Sequence, residues 1–218
     1  MKTKSCKNRF SSIEELSRFL EIRLKGEKPG LKSQLKMSPD PSPSALTIKE
    51  AGDSCVKAGV LILLYPENGI IHLVFIQRTA TVSHHQNQIS FPGGQKNDDE
   101  NIIEAALREA REELRIWPEN LRILGQLTPL YVQPSNYCLY PVVAITENRP
   151  DFEPCPQEVA EIIVVPLDHL LDRKNVCFEI WSLRGRQTLV PFFDYDRHKI
   201  WGATAMILAE LLDILRGE

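Results

Sequence analysis

The stretch Gly94–Ile116, GQKNDDENIIEAALREAREELRI, decides how the whole chain is read. Its apolar spacing predicts a helix over Asn101–Leu114. At about 100° per residue, Glu109, Glu112 and Glu113 fall within roughly one 100° sector of that helix. Ile103, Ala106, Leu107, Ala110 and Leu114 form a separate stripe centred about 120° away. One stripe can be buried while the other presents three carboxylates to a common point. Like charges at i and i+4, as at Glu109 and Glu113, destabilise an isolated helix by about 0.2–0.5 kcal/mol. The cluster is therefore either a solvated acidic face or a site that takes a compensating cation. Mg²⁺ suits the second reading, because it prefers oxygen ligands and shares them with substrate phosphates. Immediately upstream, Phe91-Pro92-Gly93-Gly94 predicts a strand running into a turn whose glycines let the backbone approach a ligand closely.

Strand patterns flank this stretch on both sides. Val56–Tyr65 and Ile70–Gln77, separated by Pro66-Glu67-Asn68-Gly69, predict a hairpin. Thr79–Gln88 is polar. Further strands are predicted at Leu121–Leu127, Cys138–Ile145, Ile162–Val165, Cys177–Leu183 and Gln187–Pro191, with a closing helix over Ile200–Leu215. Near the N-terminus, Phe10–Leu24 predicts an amphipathic helix capped by Ser11 or Ser12, with Glu14 or Glu15 as the reciprocal partner. Pro29, Pro39, Pro41 and Pro43, with Gly30, then predict an extended connector. The expected class is α/β (α+β): a mixed β-sheet sandwiched between helices, with an N-terminal helical arm. The expected division is residues 1–50 for arm and connector and residues 51–218 for the main domain.

Composition narrows the function classes. The chain has 218 residues, 43% hydrophobic and 25% charged, with a formal charge of −3. These are ordinary globular values. No apolar run approaches the roughly 18–20 residues of a membrane span, and MKTKSCKNRF has no apolar stretch behind its basic residues. Expectations are therefore no membrane, no nucleic acid and a cytoplasmic location. Five cysteines without a C-x-x-C pair suggest reduced, scattered thiols. The charge is uneven: residues 1–37 hold ten Lys/Arg against four Asp/Glu, +6, which leaves −9 for the remainder. Such an arm is either a solvated face or a meeting surface for an anionic ligand.

The spacing Gly94, Glu100, Arg108-Glu109, Glu112-Glu113 and Ile116 resembles the G-x5-E-x7-R-E-u-x-E-E-x-G-u signature of the Nudix hydrolases, where u is a bulky aliphatic. Two positions depart from it: Ala110 is small, and Arg115 replaces the late glycine that ends the helix. The resemblance implies the Nudix fold and Mg²⁺- or Mn²⁺-dependent hydrolysis of a nucleoside diphosphate derivative. It implies Glu109, Glu112 and Glu113 as metal-binding carboxylates, the Gly93 carbonyl as a further ligand, and an ion pair between Glu100 and Arg108. Arg108 thereby joins the catalytic set. The general base is Glu109, or Glu158 or Glu161 in the downstream PQEVAEII segment.

VFIQRTATVSHHQNQISFPGG resembles the segment preceding the signature in the coenzyme A pyrophosphatase branch. Arg78 and Phe91-Pro92-Gly93-Gly94 match that branch, whereas Ser83 and Asn87 stand where an Arg and a Gly are expected. Tyr131–Val143 and Ile200–Ala205 also resemble it. The branch implies Arg78, His85, Phe91, Gly93 and Gly94 as substrate-binding residues. It implies coenzyme A or acyl-coenzyme A as substrate, split into 4′-phosphopantetheine (or its acyl form) and adenosine 3′,5′-bisphosphate. Lysines of the basic arm are a candidate replacement for the missing Arg at the 3′-phosphate. Trp201 and Tyr195 are either core or stacking residues. The alternatives are the same chemistry on ADP-ribose, a dinucleotide or a nucleoside triphosphate, and a Nudix-fold ligand-binding module without turnover. A homodimer is a further expectation.

Overall fold

Asn68 and Gly69 both have positive φ, 52° and 76°. This is the two-residue turn whose twist matches that of its flanking strands. It joins β1 (Val56–Glu67) to β2 (Ile70–Arg78) and sets Glu67 opposite Ile70. The computed structural model describes residues 9–39, 54–79 and 88–218. Within them β1 is central: it pairs parallel with β7 (Tyr137–Ile145) and antiparallel with β4 (Gly93–Gln95). β7 also carries β5 (Arg122–Gln126) and β6 (Leu130–Val132), while β2 carries β3 (Ile89–Ser90) and β8 (Val159–Pro166). The result is an eight-stranded mixed sheet. A separate three-stranded antiparallel sheet holds β9 (Val176–Leu183), β10 (Arg186–Tyr195) and β11 (His198–Trp201).

Both faces of the large sheet are covered, so β1 reads as a continuous apolar run. Leu61, Leu63 and Tyr65 face one core with Val74 and Ile76, closed by Ala106, Ala110 and Leu114 of the helix Ile102–Leu114. Ile62 and Leu64 face the other with Leu73 and Phe75, closed by α1 (Ile13–Lys25) and the C-terminal helix Gly202–Arg216. In chain order the helices are α1, α2 (Leu31–Gln34), α3 (Ile102–Leu114), α4 (Leu167–Leu171) and α5 (Gly202–Arg216). The expected sandwich of a mixed sheet between helices is what the chain forms.

Several expectations are corrected. The connector is not extended from Pro29 onward: α2 and a 3₁₀ turn over Leu35–Met37 follow it. Gln34 Nε2 donates to Glu210 at 2.9 Å, and the Ser33 hydroxyl donates to Asp213. Lys36 pairs with Asp213 at 2.6 Å. Leu16, Leu20 and Leu24 of α1 are buried in the same core as α5. Described residues of the basic arm therefore pack on the face of the sheet opposite α3. The closing helix begins at Gly202 because Ile200 and Trp201 end β11. Trp201 meets Trp181 edge-on at 5.1 Å, and Tyr195 meets His169 at 4.9 Å.

The cysteines are not all reduced: Cys55 and Cys138 form a disulfide. Parallel pairing sets Lys57 opposite Cys138, which brings the Cys55 and Cys138 Cα atoms to 5.8 Å, within disulfide span. Cys155 and Cys177 are free thiols, and Cys6 lies outside the described residues. No helix among the described residues is long and apolar enough to cross a membrane.

The contact that sets α3 on the sheet is at Gly59. A Cβ there would stand 2.5 Å from the Ile102 carbonyl oxygen and 2.8 Å from the Ala106 nitrogen. Gly59→Ala must push α3 away from β1, and overpacking of this kind costs about 1–3 kcal/mol. A lowered urea midpoint with an unchanged m-value is the expected result; an unchanged midpoint would contradict the close approach.

Candidate active site

The geometry of α3 begins at its cap. Asn101 accepts from the Ile103 and Glu104 amides at 2.9 and 3.1 Å, and Glu104 accepts from the Asn101 amide at 2.7 Å. This reciprocal capping box fixes where the helix starts and hence the angular position of every carboxylate beyond it. The other end is closed by Arg115, which takes the left-handed conformation (φ 54°, ψ 34°) that the signature's glycine would supply. Its amide donates to the Arg111 carbonyl at 2.9 Å. The cap survives loss of the glycine, at a backbone cost of about 1 kcal/mol.

Arg108 organises the acidic stripe. Its Nε and Nη2 donate to the two oxygens of Glu100 at 3.0 and 2.8 Å, the expected ion pair. Nη1 reaches Glu109 at 2.7 Å and Glu112 at 3.0 Å, and Nη2 also donates to the Gln95 carbonyl at 2.9 Å. One planar guanidinium thus ties the segment before the helix to two of the three helical carboxylates. Glu100 in turn accepts from the Asn97 amide at 2.8 Å.

The stripe is not a solvated face. Glu113 is fully buried, with Oε2 accepting from the Gly93 amide at 2.9 Å and Oε1 from Arg78 Nη1 at 3.1 Å. Glu109 lies directly over Gly94, where a Cβ would stand 2.4 Å from its carboxyl carbon. Only the Glu112 side chain is half-exposed, at 54%. Burial pushes the Glu113 carboxyl up to about 8; the Gly93 amide and Arg78 oppose this, and Glu109 and Glu158 add to it. Burial also raises Glu109, against the pull of Arg108 and with the repulsion of Glu112 and Glu158.

Glu158, in the turn before β8, therefore shares the field of both Glu109 and Glu113. Glu161, the other downstream acid, does not join them: it accepts from Arg197 at 2.8 Å and faces His198 at 3.2 Å. Phe91 is 3% exposed and packs on Phe75 with ring centroids 4.8 Å apart, so it supports the loop from the core. Ser83, His84, His85 and Asn87 lie outside the described residues. The Gln95 carbonyl and the Asn97 and Gly93 amides complete the site, and no pattern of residue types announces backbone groups. A cavity of about 870 Å³ lies beyond the far end of α3 beside Arg115, Trp117 and Arg149 and includes none of these carboxylates.

The donor set is all oxygen, with the Glu109 and Glu113 carboxyls raised first by burial and then by neighbouring acids, a combination that suits a hard divalent cation. Arginine guanidiniums lie among the carboxylates, and among the described residues no three potential ligands form a ready cage.

The chain is similar to known proteins. The NUDIX domain model matches residues 56–181. The chain is 39% identical over 140 residues to an uncharacterized Nudix hydrolase NudL of Photorhabdus laumondii, covering 64% of this chain and 74% of that protein. It is 33% identical over 164 residues to the human mitochondrial coenzyme A diphosphatase NUDT8, covering 72% of this chain and 69% of that protein. In fold alone, it superposes on a MutT/nudix family protein from Enterococcus faecalis with a TM-score of 0.52 at 14% identity, over 95% of this chain and 76% of that one. With the family model spanning more than half of its residues, the chain belongs to the Nudix hydrolase family.

Proposed function

We propose that this chain hydrolyses the pyrophosphate bond of coenzyme A or an acyl derivative, giving 4′-phosphopantetheine (or its acyl form) and adenosine 3′,5′-bisphosphate. The observation that carries the hydrolytic reading is the pair of carboxylates, Glu113 buried and Glu109 partly buried, seated against the Gly93–Gly94 loop beside Glu158. The choice of coenzyme A is supported by Arg78 and the Phe91–Gly94 motif and by the likeness to the human coenzyme A diphosphatase. Ser83 and Asn87, which depart from the coenzyme A pattern, favour a second reading: the same reaction on ADP-ribose, a dinucleotide or a nucleoside triphosphate.

Glu109, Glu112 and Glu113, with the Gly93 carbonyl, would hold Mg²⁺ or Mn²⁺. When bound, such an ion supplies charge neutralisation on the pyrophosphate and acidification of water. The chain's own groups do the rest. Arg108 holds Glu109 and Glu112 in register, and Gly94 leaves room for Glu109. Glu158 is the proposed proton acceptor as water attacks phosphorus and the bridging P–O bond breaks, its proton passing to that carboxylate. Glu161 is engaged by Arg197 and His198 and takes no part in this assignment.

A panel of coenzyme A, acyl-coenzyme A, ADP-ribose, dinucleotides and nucleoside triphosphates with Mg²⁺ or Mn²⁺, read by mass spectrometry, tests the substrate. Coenzyme A left intact while another diphosphate is cleaved would overturn the first reading in favour of the second. Glu112→Gln tests the metal assignment. Because Glu112 is half-exposed, its replacement should leave stability within about 0.5 kcal/mol. Turnover should fall about 100-fold or more. Undiminished turnover would remove Glu112 from the site.

The buried acid gives a separate prediction for metal-free protein. Glu113 ionises near 4.5 in the unfolded chain and near 8 when folded. Between those values the unfolded state releases a proton that the folded state keeps. The stabilisation is therefore present in full below about pH 4.5 and lost as pH rises through about 8. Wild-type protein in chelator should lose melting temperature relative to Glu113→Gln between pH 5 and pH 8; parallel profiles would contradict the buried, proton-retaining carboxyl.

A further inference from the structure

Arg78 stands where the pairing of β2 with β8 slips by one residue. Gln77 lies opposite Glu161, but Arg78 lies opposite Val159, so that Ala160 is the extra residue. Irregularities of this kind re-aim side chains beside active sites. Alternation along β2 sends Val74 and Ile76 toward α3, and Arg78 follows them to the same face. There its Nη1 donates to Glu113 Oε1 at 3.1 Å, with 23% of the arginine side chain exposed and none of the glutamate.

The backbone at this point is equally committed. The Arg78 amide donates to the Gln88 carbonyl at 3.1 Å, and the Thr79 amide donates to the Glu158 carbonyl at 2.9 Å. The Thr79 hydroxyl donates to the Gln157 carbonyl at 2.9 Å. Two consecutive residues therefore join α3, the segment leading into β3, and the turn that carries Glu158. The two arginines of the site divide its carboxylates: Arg108 holds Glu100, Glu109 and Glu112, and Arg78 holds Glu113.

We propose that Arg78 is a positioning residue for Glu113 rather than a ligand of the substrate's phosphates. Glu113 has one oxygen bound to Arg78 and the other to the Gly93 amide. Two donors on two oxygens fix the plane of the group, and charge-assisted bonds do so more firmly than neutral ones. The inference rests on the reading of Glu113 as a metal ligand, and it adds the residue that aims that ligand. Lysine keeps the charge but not the forked donor, so it can replace arginine only in part.

The test uses the full chain, with Mn²⁺ alone as the first probe. Calorimetric Mn²⁺ binding to chelator-treated Arg78→Gln should be about 10-fold weaker than to wild type, the loss typical when a residue orienting a metal ligand is removed. With whichever diphosphate the panel shows to be cleaved, kcat at saturating Mn²⁺ should fall about 10-fold while KM stays within about threefold, the pattern of a lost catalytic arrangement rather than lost uniform binding. Arg78→Lys should recover part of both losses, and it supplies the comparison if the glutamine variant does not fold by circular dichroism. Arg78→Gln placed on Glu113→Gln should weaken Mn²⁺ binding no further, because Arg78 acts through Glu113. A raised KM with kcat and Mn²⁺ affinity intact would overturn the proposal and return Arg78 to the substrate. Mn²⁺ affinity unchanged in Glu113→Gln would instead overturn the underlying assignment of Glu113.

Discussion

The site depends on one cation inside a set of acids. Without Arg108, α3 would carry Glu109, Glu112 and Glu113 on one stripe, with Glu100 just ahead of it and only Arg78, at Glu113, to offset their repulsion. Arg108 makes five hydrogen bonds, reaching three carboxylates and the Gln95 carbonyl. Those bonds, Glu100 foremost, hold the guanidinium still more firmly protonated. Its planar fork permits this, because bidentate pairing with Glu100 leaves Nη1 free to point along the helix. The same contact fastens the segment between β4 and α3, and so relates the helix to the loop at Gly93 and Gly94. Coulombic repulsion that would otherwise destabilise the helix becomes part of its attachment to the sheet.

Most of the fold was legible because its elements obey local rules. The Asn68-Gly69 turn, the apolar run of β1 and the helix ending at Leu114 are each specified by neighbours within a few residues. What was illegible depends on contacts distant in sequence. Cys55 and Cys138 are 83 residues apart, and only parallel pairing of β1 with β7 makes them neighbours. The turn of helix after Pro29 is held by Glu210 and Asp213 of α5, acids that look like surface residues in a one-dimensional pattern. β6, three residues long, is too short for periodicity to reveal.

The candidate site divides the same way. The angular arithmetic of α3 placed three carboxylates together but left open whether water or protein covered them. The sheet decides this: β4 lies against β1 with Gly94 opposite Gly59, so the Gly93–Gly94 strand roofs Glu109 and Glu113 while Glu112 remains at the rim. Glu158 and Glu161 were indistinguishable in sequence, three positions apart in one acidic segment. Glu158 ends the turn before β8 whereas Glu161 lies within the strand, and the two acids end in different surroundings.

The Phe91–Gly94 motif shows why helix and loop carry meaning only together. Phe91 packs into the core against Phe75, and the Pro92 carbonyl accepts from the Leu61 amide at 2.7 Å. The Gly93 amide donates to Glu113, and Gly94 has no Cβ because Glu109 occupies that space. Four consecutive residues thus answer to four different neighbours: a core ring, the central strand and two carboxylates of α3. An acidic helix without that loop would turn its charges to water, and the loop without the helix would be an ordinary turn. Their joint presence buries negative charge beside a backbone that can approach it closely. Two arginines balance that charge in part, while burial, helped by neighbouring acids, raises the pKa values of Glu109 and Glu113.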